Sequence, residues 1–294
     1  MPLRWEDVPP YLVCPVCRST LAPLSVTIRC ERGHSFDVAR EGYINLLATP
    51  KRLSPTVGDS RAMLRARQSF LARGHYTRLA DAVATAACDW AAERDIASRG
   101  LRVVDLGCGT GYYLGRLCNA FGQSPDTRTL WPCGLDVSRD AVSLAAREHP
   151  DAYFVVADVT RVLPLADAGV DMALNIFAPR NPTEYARVLR PDGLLLVVIP
   201  AERHLASLRE RLPLLQIEAN KSEHVRAQLA GAFRLERQVA LTEELNLSGS
   251  DVTSLVEMTP AYRHLTEPDR ARLASAGPLR TEASFEALHF RRSH

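Results

Sequence analysis

Two groups of residues in this 294-residue chain have the types and spacing to do chemistry. The first is Cys14-Pro15-Val16-Cys17, followed by twelve residues and then Cys30-Glu31-Arg32-Gly33-His34. Two close pairs of soft ligands, each on a tight turn, are what a tetrahedral zinc site requires. Cys14, Cys17, Cys30 and His34 together fill the coordination sphere, so the predicted role is structural. The second group is Val103-Val104-Asp105-Leu106-Gly107-Cys108-Gly109-Thr110-Gly111. A β-branched run closes on an acid, turns through three alternating glycines and enters a helix at Tyr112. Such a loop lets the backbone approach a ligand closely and aims a helix N-terminus at it. A dinucleotide loop wants glycine at its first, third and sixth positions, and the sixth position counted from Gly107 is Tyr112. An acid just before the loop suits a ligand with an amino group and a cationic centre better than it suits pyrophosphate.

Asp-Leu-Gly-Cys-Gly-Thr-Gly resembles the first motif of S-adenosylmethionine (SAM) dependent methyltransferases. The elements around it must present further acids to the same ligand. Strand and helix alternate from Leu101 onward in the doubly wound manner. A second strand ends at Asp136, placed to accept from ribose hydroxyls. A third, Ala152 to Asp158, ends in an acid placed to meet the adenine amino group. Each acid alone is more often a helix cap or turn residue, and Asp136 and Asp158 could both be such; Asp105, Asp136 and Asp158 closing successive strands are harder to dismiss. A fourth strand, Val170 to Arg180, carries Asn175, Phe177, Pro179 and Arg180 to the carboxyl edge, where ligands of such sheets bind. Helix Thr183 to Leu189, the turn Arg190-Pro191-Asp192-Gly193 and strand Leu194 to Ile199 follow. Beyond them come a helix over Leu212 to Leu229, a long strand over Phe233 to Leu247, two short helices, and a strand over Thr281 to Arg291.

Composition is ordinary for a soluble globular protein, 46% hydrophobic and 24% charged. No apolar run has membrane-spanning length and the first residues do not read as a signal peptide, so the expected location is cytoplasmic. The net charge of +2 is uneven: residues 1–80 hold 12 Lys and Arg against 6 Asp and Glu. A basic N-terminal part suggests a polyanionic partner. Thr49 to Pro55 reads as a mobile basic linker. Arg61, Arg65, Arg67, Arg73 and Arg78, on two helices that follow it, could face solvent or phosphates. Cys88, Cys108, Cys118 and Cys133 lack ligand spacing and read as core or loop thiols.

The whole chain resembles the bacterial large-subunit ribosomal RNA guanine-N1 methyltransferases, in particular the Gram-positive branch that includes tylosin-resistance enzymes. The stretches that carry this are Cys14-x-x-Cys17, Cys30-x-x-x-His34-x-Phe36-Asp37, Glu41-Gly42-Tyr43-x-Asn45-Leu46-Leu47, Gly74-His75-Tyr76, Asp105-x-Gly107-x-Gly109-x-Gly111, Ala173 to Asn181 and Met258-Thr259-Pro260. The resemblance implies an α/β fold: a Rossmann-like, seven-stranded class I SAM methyltransferase domain over 101–294. It further implies a zinc-ribbon RNA-recognition module over 1–48, with the basic linker and helices of 49–100 between them. It implies a homodimer acting on a hairpin-loop guanine of 23S rRNA, with no role for membrane or DNA, and a methylation that can weaken macrolide binding. SAM would be held by Asp105, Gly107, Gly109, Gly111, Tyr112, Asp136, Asp158 and Asn175. Asn175 and Phe177 would position and stack the base beside Pro179, and Arg180 would meet guanine O6 or a phosphate. For Asn175 a backbone hydrogen bond, and for Phe177 a core contact, are the plainer roles. A SAM-dependent enzyme of small-molecule natural products and a non-catalytic zinc-ribbon RNA-binding protein are the competing classes. The intact acids and glycines argue against the latter.

Overall fold

The computed structural model describes residues 5–47, 58–94, 100–123, 129–212, 217–218 and 220–293. The basic linker expected at Thr49 to Pro55 lies outside them. Near the N-terminus a three-stranded antiparallel ribbon, β1 (Leu21–Leu24), β2 (Thr27–Cys30) and β3 (Ser35–Asp37), is followed by β4 (Tyr43–Asn45). Helices α1 (Arg61–Ala72) and α2 (Thr77–Ala92) lead to the alternating region. Ser60 caps α1 by accepting from the Met63 N–H, and Gly74, at φ +85°, separates the two helices.

The alternating region runs β5 (Leu101–Leu106), α3 (Tyr112–Gly122), β6 (Leu130–Asp136), α4 (Arg139–Glu148), β7 (Tyr153–Val156), β8 (Val170–Ile176), α5 (Pro182–Val188) and β9 (Leu189–Pro200). The remainder comprises α6 (Ala206–Arg211), α7 (Lys221–Leu229), β10 (Phe233–Leu247), α8 (Gly249–Glu257), a 3-10 turn (Pro260–His264), α9 (Glu267–Ala274) and β11 (Leu279–Arg292). Of the helix expected over Leu212 to Leu229, the described residues show only α7, since α6 ends at Arg211 before it; 213–216 and 219 lie outside the described residues. No described helix is long and apolar enough to cross a membrane.

The main sheet has eight strands in the order β10-β11-β9-β8-β5-β6-β7-β4. Seven are those expected of the methyltransferase fold, with β11 running antiparallel between β9 and β10. The eighth comes from the N-terminal part: β4 pairs parallel with β7, Tyr43 opposite Phe154 and Asn45 opposite Val156. The anticipated boundary near residue 48 therefore falls after a strand that completes the catalytic sheet. On the ribbon side β4 has only an isolated antiparallel bridge, Ile44 to Val38, and the edge of β7 supplies its continuous partner.

Alternation along the buried strands divides the core into two faces. Val103, Met172, Leu174, Leu196 and Phe285 pack with α1 to α4 and α8. Val104, Leu106, Ala173, Leu195 and Phe290 pack with α5, α7 and the zinc ribbon's Trp5, Tyr11 and Ile28. The Tyr11 hydroxyl, fully buried, donates to the Trp131 carbonyl at 2.8 Å. Arg18 reaches from the ribbon to the Leu165 carbonyl at 2.8 Å and to Asp167 at 3.0 Å. The ribbon is thus seated on the sheet's second face.

The turn expected at Arg190 to Gly193 is instead a large bulge inside β9. The register jumps from Val170 opposite Leu189 to Met172 opposite Leu194, with Asp192 at φ +61°. The chain crosses from one half of the sheet to the other between β5 and β8, which opens a crevice at their carboxyl ends.

Candidate active site and metal centre

Two knuckle turns build the metal centre. The Arg18 N–H donates to the Cys14 carbonyl at 2.8 Å and the Gly33 N–H to the Cys30 carbonyl at 2.9 Å. These turns bring one ligand atom from each of Cys14, Cys17, Cys30 and His34 within 4.8 Å of one another. Cys17 Sγ lies 3.7 Å from Cys30 Sγ, and His34 Nδ1 lies 3.6 Å from Cys14 Sγ and 3.3 Å from Cys30 Sγ. Zinc–sulfur arms of about 2.3 Å at tetrahedral angles give edges of roughly 3.7 Å, so the donor set fits zinc. Hydrogen bonds from the Ser19 side chain and backbone lower the Cys17 thiol to about 6, toward the thiolate a metal takes.

The glycine loop sits at the mouth of the crevice. Gly107, Gly109 and Gly111 have φ of +87°, +55° and +78°, a region that L side chains adopt at a cost. A Cβ on Gly107 would collide with the Ala178 methyl, and one on Gly111 would stand 2.9 Å from Phe154. Asp105 lies at the end of β5 at 1% exposure, and neither carboxylate oxygen has a hydrogen-bond partner among the described residues. Burial, and then the charge of Asp136, push its carboxyl up to about 7. An orphaned acid beneath a glycine cradle is what a ligand with an ammonium group would satisfy, so these residues fit SAM.

Asp136 and Asp158 behave partly as the turn residues they could also have been. Asp136 accepts from the Gly109 N–H at 2.9 Å and the Ser138 N–H at 2.8 Å. Asp158 accepts from the Thr160 N–H at 2.9 Å and from its hydroxyl at 2.6 Å. A carboxylate has about four acceptor positions, so both retain capacity for a ligand. Through the Gly109 contact Asp136 also shapes the loop. Tyr112 begins α3, its hydroxyl 3.5 Å from that of Thr77.

Opposite the glycine loop, β8 runs out into residues 177–181. Asn175 is fully buried: its amide donates to the Pro179 carbonyl at 3.0 Å and the Tyr185 hydroxyl at 3.0 Å, while Oδ1 has no partner. The backbone bond foreseen as the plainer role is therefore present, and in this geometry Asn175 holds the loop from beneath. Phe177 differs from the core contact foreseen as its alternative, being 43% exposed with φ +57°. Its ring meets Phe285 at 5.4 Å and Tyr113 at 6.3 Å between centroids. Pro179 is exposed, and Arg180 donates to the Gln228 side chain at 3.1 Å.

The sequence-derived site omits the wall behind Phe177. Tyr76 packs edge-on against Phe285 at 5.0 Å, and His204 lies 4.7 Å from Phe285. The Ser284 N–H donates to His204 Nδ1 at 3.2 Å, leaving Nε2 3.5 Å from the Tyr76 hydroxyl. Burial lowers the His204 imidazole to about 4, so it is neutral at physiological pH. These residues come from α2, the segment after β9 and β11, which no local spacing connects. Of the five arginines read as a solvent or phosphate face, four have partners within the chain. Arg61 pairs with Asp140, Arg67 with Asp59, Arg73 with Asp251, and Arg78 with the Thr242 carbonyl; Arg65 is exposed.

A doubly wound sheet with a glycine cradle, an orphaned acid before it and two further strand-end acids defines a class I SAM-dependent methyltransferase. Residues 103–193 match the family described as methyltransferase domain, and residues 12–54 match one described as "RlmA, N-terminal". The chain is 42% identical to the 23S rRNA (guanine(748)-N(1))-methyltransferase of Streptomyces fradiae, over 91% of both proteins. It is 40% identical to a provisional 23S rRNA (guanine-N1)-methyltransferase of Micromonospora griseorubida, over 97% of this chain and 98% of that one. The protein belongs to the 23S rRNA (guanine-N1)-methyltransferase family. A solved structure, the YcgJ protein of Bacillus subtilis, superimposes with a TM-score of 0.44 at 20% identity, covering 66% of this chain and 93% of its own.

Proposed function

We propose that this enzyme transfers the methyl group of SAM to N1 of a guanine in a hairpin loop of 23S rRNA. The carrying observation is a Cys₃His centre joined to a methyltransferase site whose rim bears an exposed aromatic, Phe177, beside the glycine loop. A loop guanine can be splayed out, stacked on an aromatic and read on its Watson–Crick edge, which a paired guanine cannot.

SAM, when bound, supplies a methyl already activated by its sulfonium. The chain's own work is alignment and exclusion of water. In this reading Gly107, Gly109, Gly111 and Tyr112 form the bed for the cofactor. Asp105 meets its ammonium group, Asp136 its ribose and Asp158 its adenine amino group. Phe177 stacks the target base, with Pro179 as its rim and Arg180 facing O6 or a phosphate. Asn175 acts through the loop it holds; it is a positioning residue for both cofactor and base. Residues 1–48 are read as the RNA-recognition module, with Arg29, Arg32 and Arg40 exposed on it, residues 49–100 as basic linker and helices, and 101–294 as the catalytic domain. A homodimer would line an RNA cleft with both modules, in the cytoplasm where ribosomes assemble.

The test is methyl transfer from labelled SAM to unmodified large-subunit rRNA, mapped by a primer-extension stop, because an N1 methyl blocks pairing. A single stop at a hairpin-loop guanine is the expected result. Labelling of neither naked rRNA nor whole subunits, with SAM still bound, would move the substrate to a small molecule. Macrolide susceptibility of cells with and without the enzyme tests the resistance reading.

A further inference from the structure

Arg67 is the member of the arginine set that does not lie on an outer surface. From α1 it reaches over the cofactor loop, and a Cβ on Gly109 would stand 3.2 Å from its Nη1. Asp59 accepts from the same nitrogen at 2.5 Å, and the Met258 carbonyl accepts from Nη2 at 3.1 Å. Two of five guanidinium donors are thereby used. The side chain is only 26% exposed, and its charge acts on Asp136 and on the Tyr113 hydroxyl, which also feels Asp105.

The charges around the loop do not balance. Asp59, Asp105 and Asp136 bring three carboxyl groups against one guanidinium. Asp105 is buried without a partner among the described residues just before the loop, Arg67 lies over Gly109 within it, and both act on the Tyr113 hydroxyl. An amino-acid end group carries an ammonium and a carboxylate on a single carbon, and it needs one acid and one base held apart in this way. A planar guanidinium is the side chain best shaped for a carboxylate.

We propose that Arg67 binds the α-carboxylate of the methionyl end of SAM, opposite Asp105, with Asp59 holding the guanidinium in position. The proposal rests on the reading of the glycine loop as a SAM site, but not on the identity of the RNA. It also accounts for Met258, whose carbonyl anchors the other amino group of Arg67 and ties the C-terminal end of α8 to the cofactor's tail.

Decarboxylated SAM, which retains the ammonium and sulfonium but lacks the carboxylate, separates this role from a structural one. Binding to the full zinc-loaded chain is measured by titration calorimetry. The parent should bind SAM roughly 10- to 100-fold more tightly than the decarboxylated compound, the worth of one charge-assisted pair. Arg67→Met should weaken SAM by that factor and leave the decarboxylated compound within about threefold, so that the discrimination collapses. Equal weakening of both compounds, or no discrimination by the parent, would overturn the assignment. Should Arg67→Met fail to fold, Asp59→Asn decides: a change in SAM affinity that the decarboxylated compound does not share supports the role, and an unchanged ratio of the two affinities overturns it. Failure of SAM itself to bind the parent would sink the cofactor reading as well, and is distinguishable from the other outcomes.

Discussion

Burying Asp105 without a hydrogen-bond partner among the described residues makes its contribution to stability depend on pH. Its carboxyl titrates near 7 in the folded chain, against about 3.9 when unfolded. Between those values the folded state holds a proton that the unfolded state lacks, so stability falls as pH rises from about 4 to about 7 and then levels off. Asp105→Asn should therefore unfold at a higher temperature than the parent at pH 8 and at nearly the same temperature at pH 4, while SAM affinity is lost. Calorimetric unfolding at the two pH values checks the first part. In the parent, affinity for cationic SAM should rise through pH 7 as the carboxylate ionises. Phe177 and Asn175 separate by kinetics. In the proposed base-stacking role, Phe177→Ala should lower kcat/KM for RNA at least tenfold with the Kd for SAM unchanged. Asn175→Ala removes the amide beneath Pro179 and should lower kcat by tenfold or more. Turnover within about threefold, below 1 kcal/mol of transition-state stabilisation, would refute its positioning role.

At the scale of elements, the cofactor loop and the substrate loop are a single mechanical unit. Gly107 lies against Ala178, which sits between Phe177 and Pro179 in the chain, so the glycine loop and the 177–181 loop are registered by direct contact of two strand ends. Gly107→Ala should displace the 177–180 loop and weaken both SAM and RNA, unlike Phe177→Ala; equilibrium binding of each ligand distinguishes them. Much at this scale was legible in the sequence. The helix over Arg139 to Glu148 and the strand over Phe233 to Leu247 lie where periodicity and capping put them. So do the knuckle ligands, because their spacing is local. What could not be read depends on distant neighbours. The bulge in β9 carries turn-forming residues, yet its flanks stay paired with β8 on one side and β11 on the other, so the ladder overrides the local signal. The four partnered arginines were indistinguishable from a solvated face because Asp59, Asp140, Asp251 and Thr242 approach them only in three dimensions.

At the scale of the whole molecule, the metal centre and the sheet are coupled through β4. The Leu46 N–H donates to the Val156 carbonyl at 3.0 Å, and Val156 lies two residues before Asp158. The ribbon has too small a core to persist without its ion. Chelation of zinc should therefore raise amide exchange in residues 43–46 and also in residues 154–157, and weaken SAM as well as RNA. Exchange mass spectrometry before and after chelation, with zinc added back as the control, reads this directly. Protection unchanged across β7 would show that the two parts are energetically independent.

The pairing of β4 with β7 joins segments about 110 residues apart in the chain, and that separation governs the order of events during synthesis. The knuckle ligands leave the ribosome first and can close on a metal ion while the catalytic residues are still being polymerised. The strand that follows them has only its local contacts with Val38 and Ala39 until β7 emerges. An early metal-bound nucleus held to a late partner makes the sheet's last edge a long-range contact, slow to form. It leaves the five residues Tyr43 to Leu47, four of them apolar, as the stretch most in need of protection on the nascent chain.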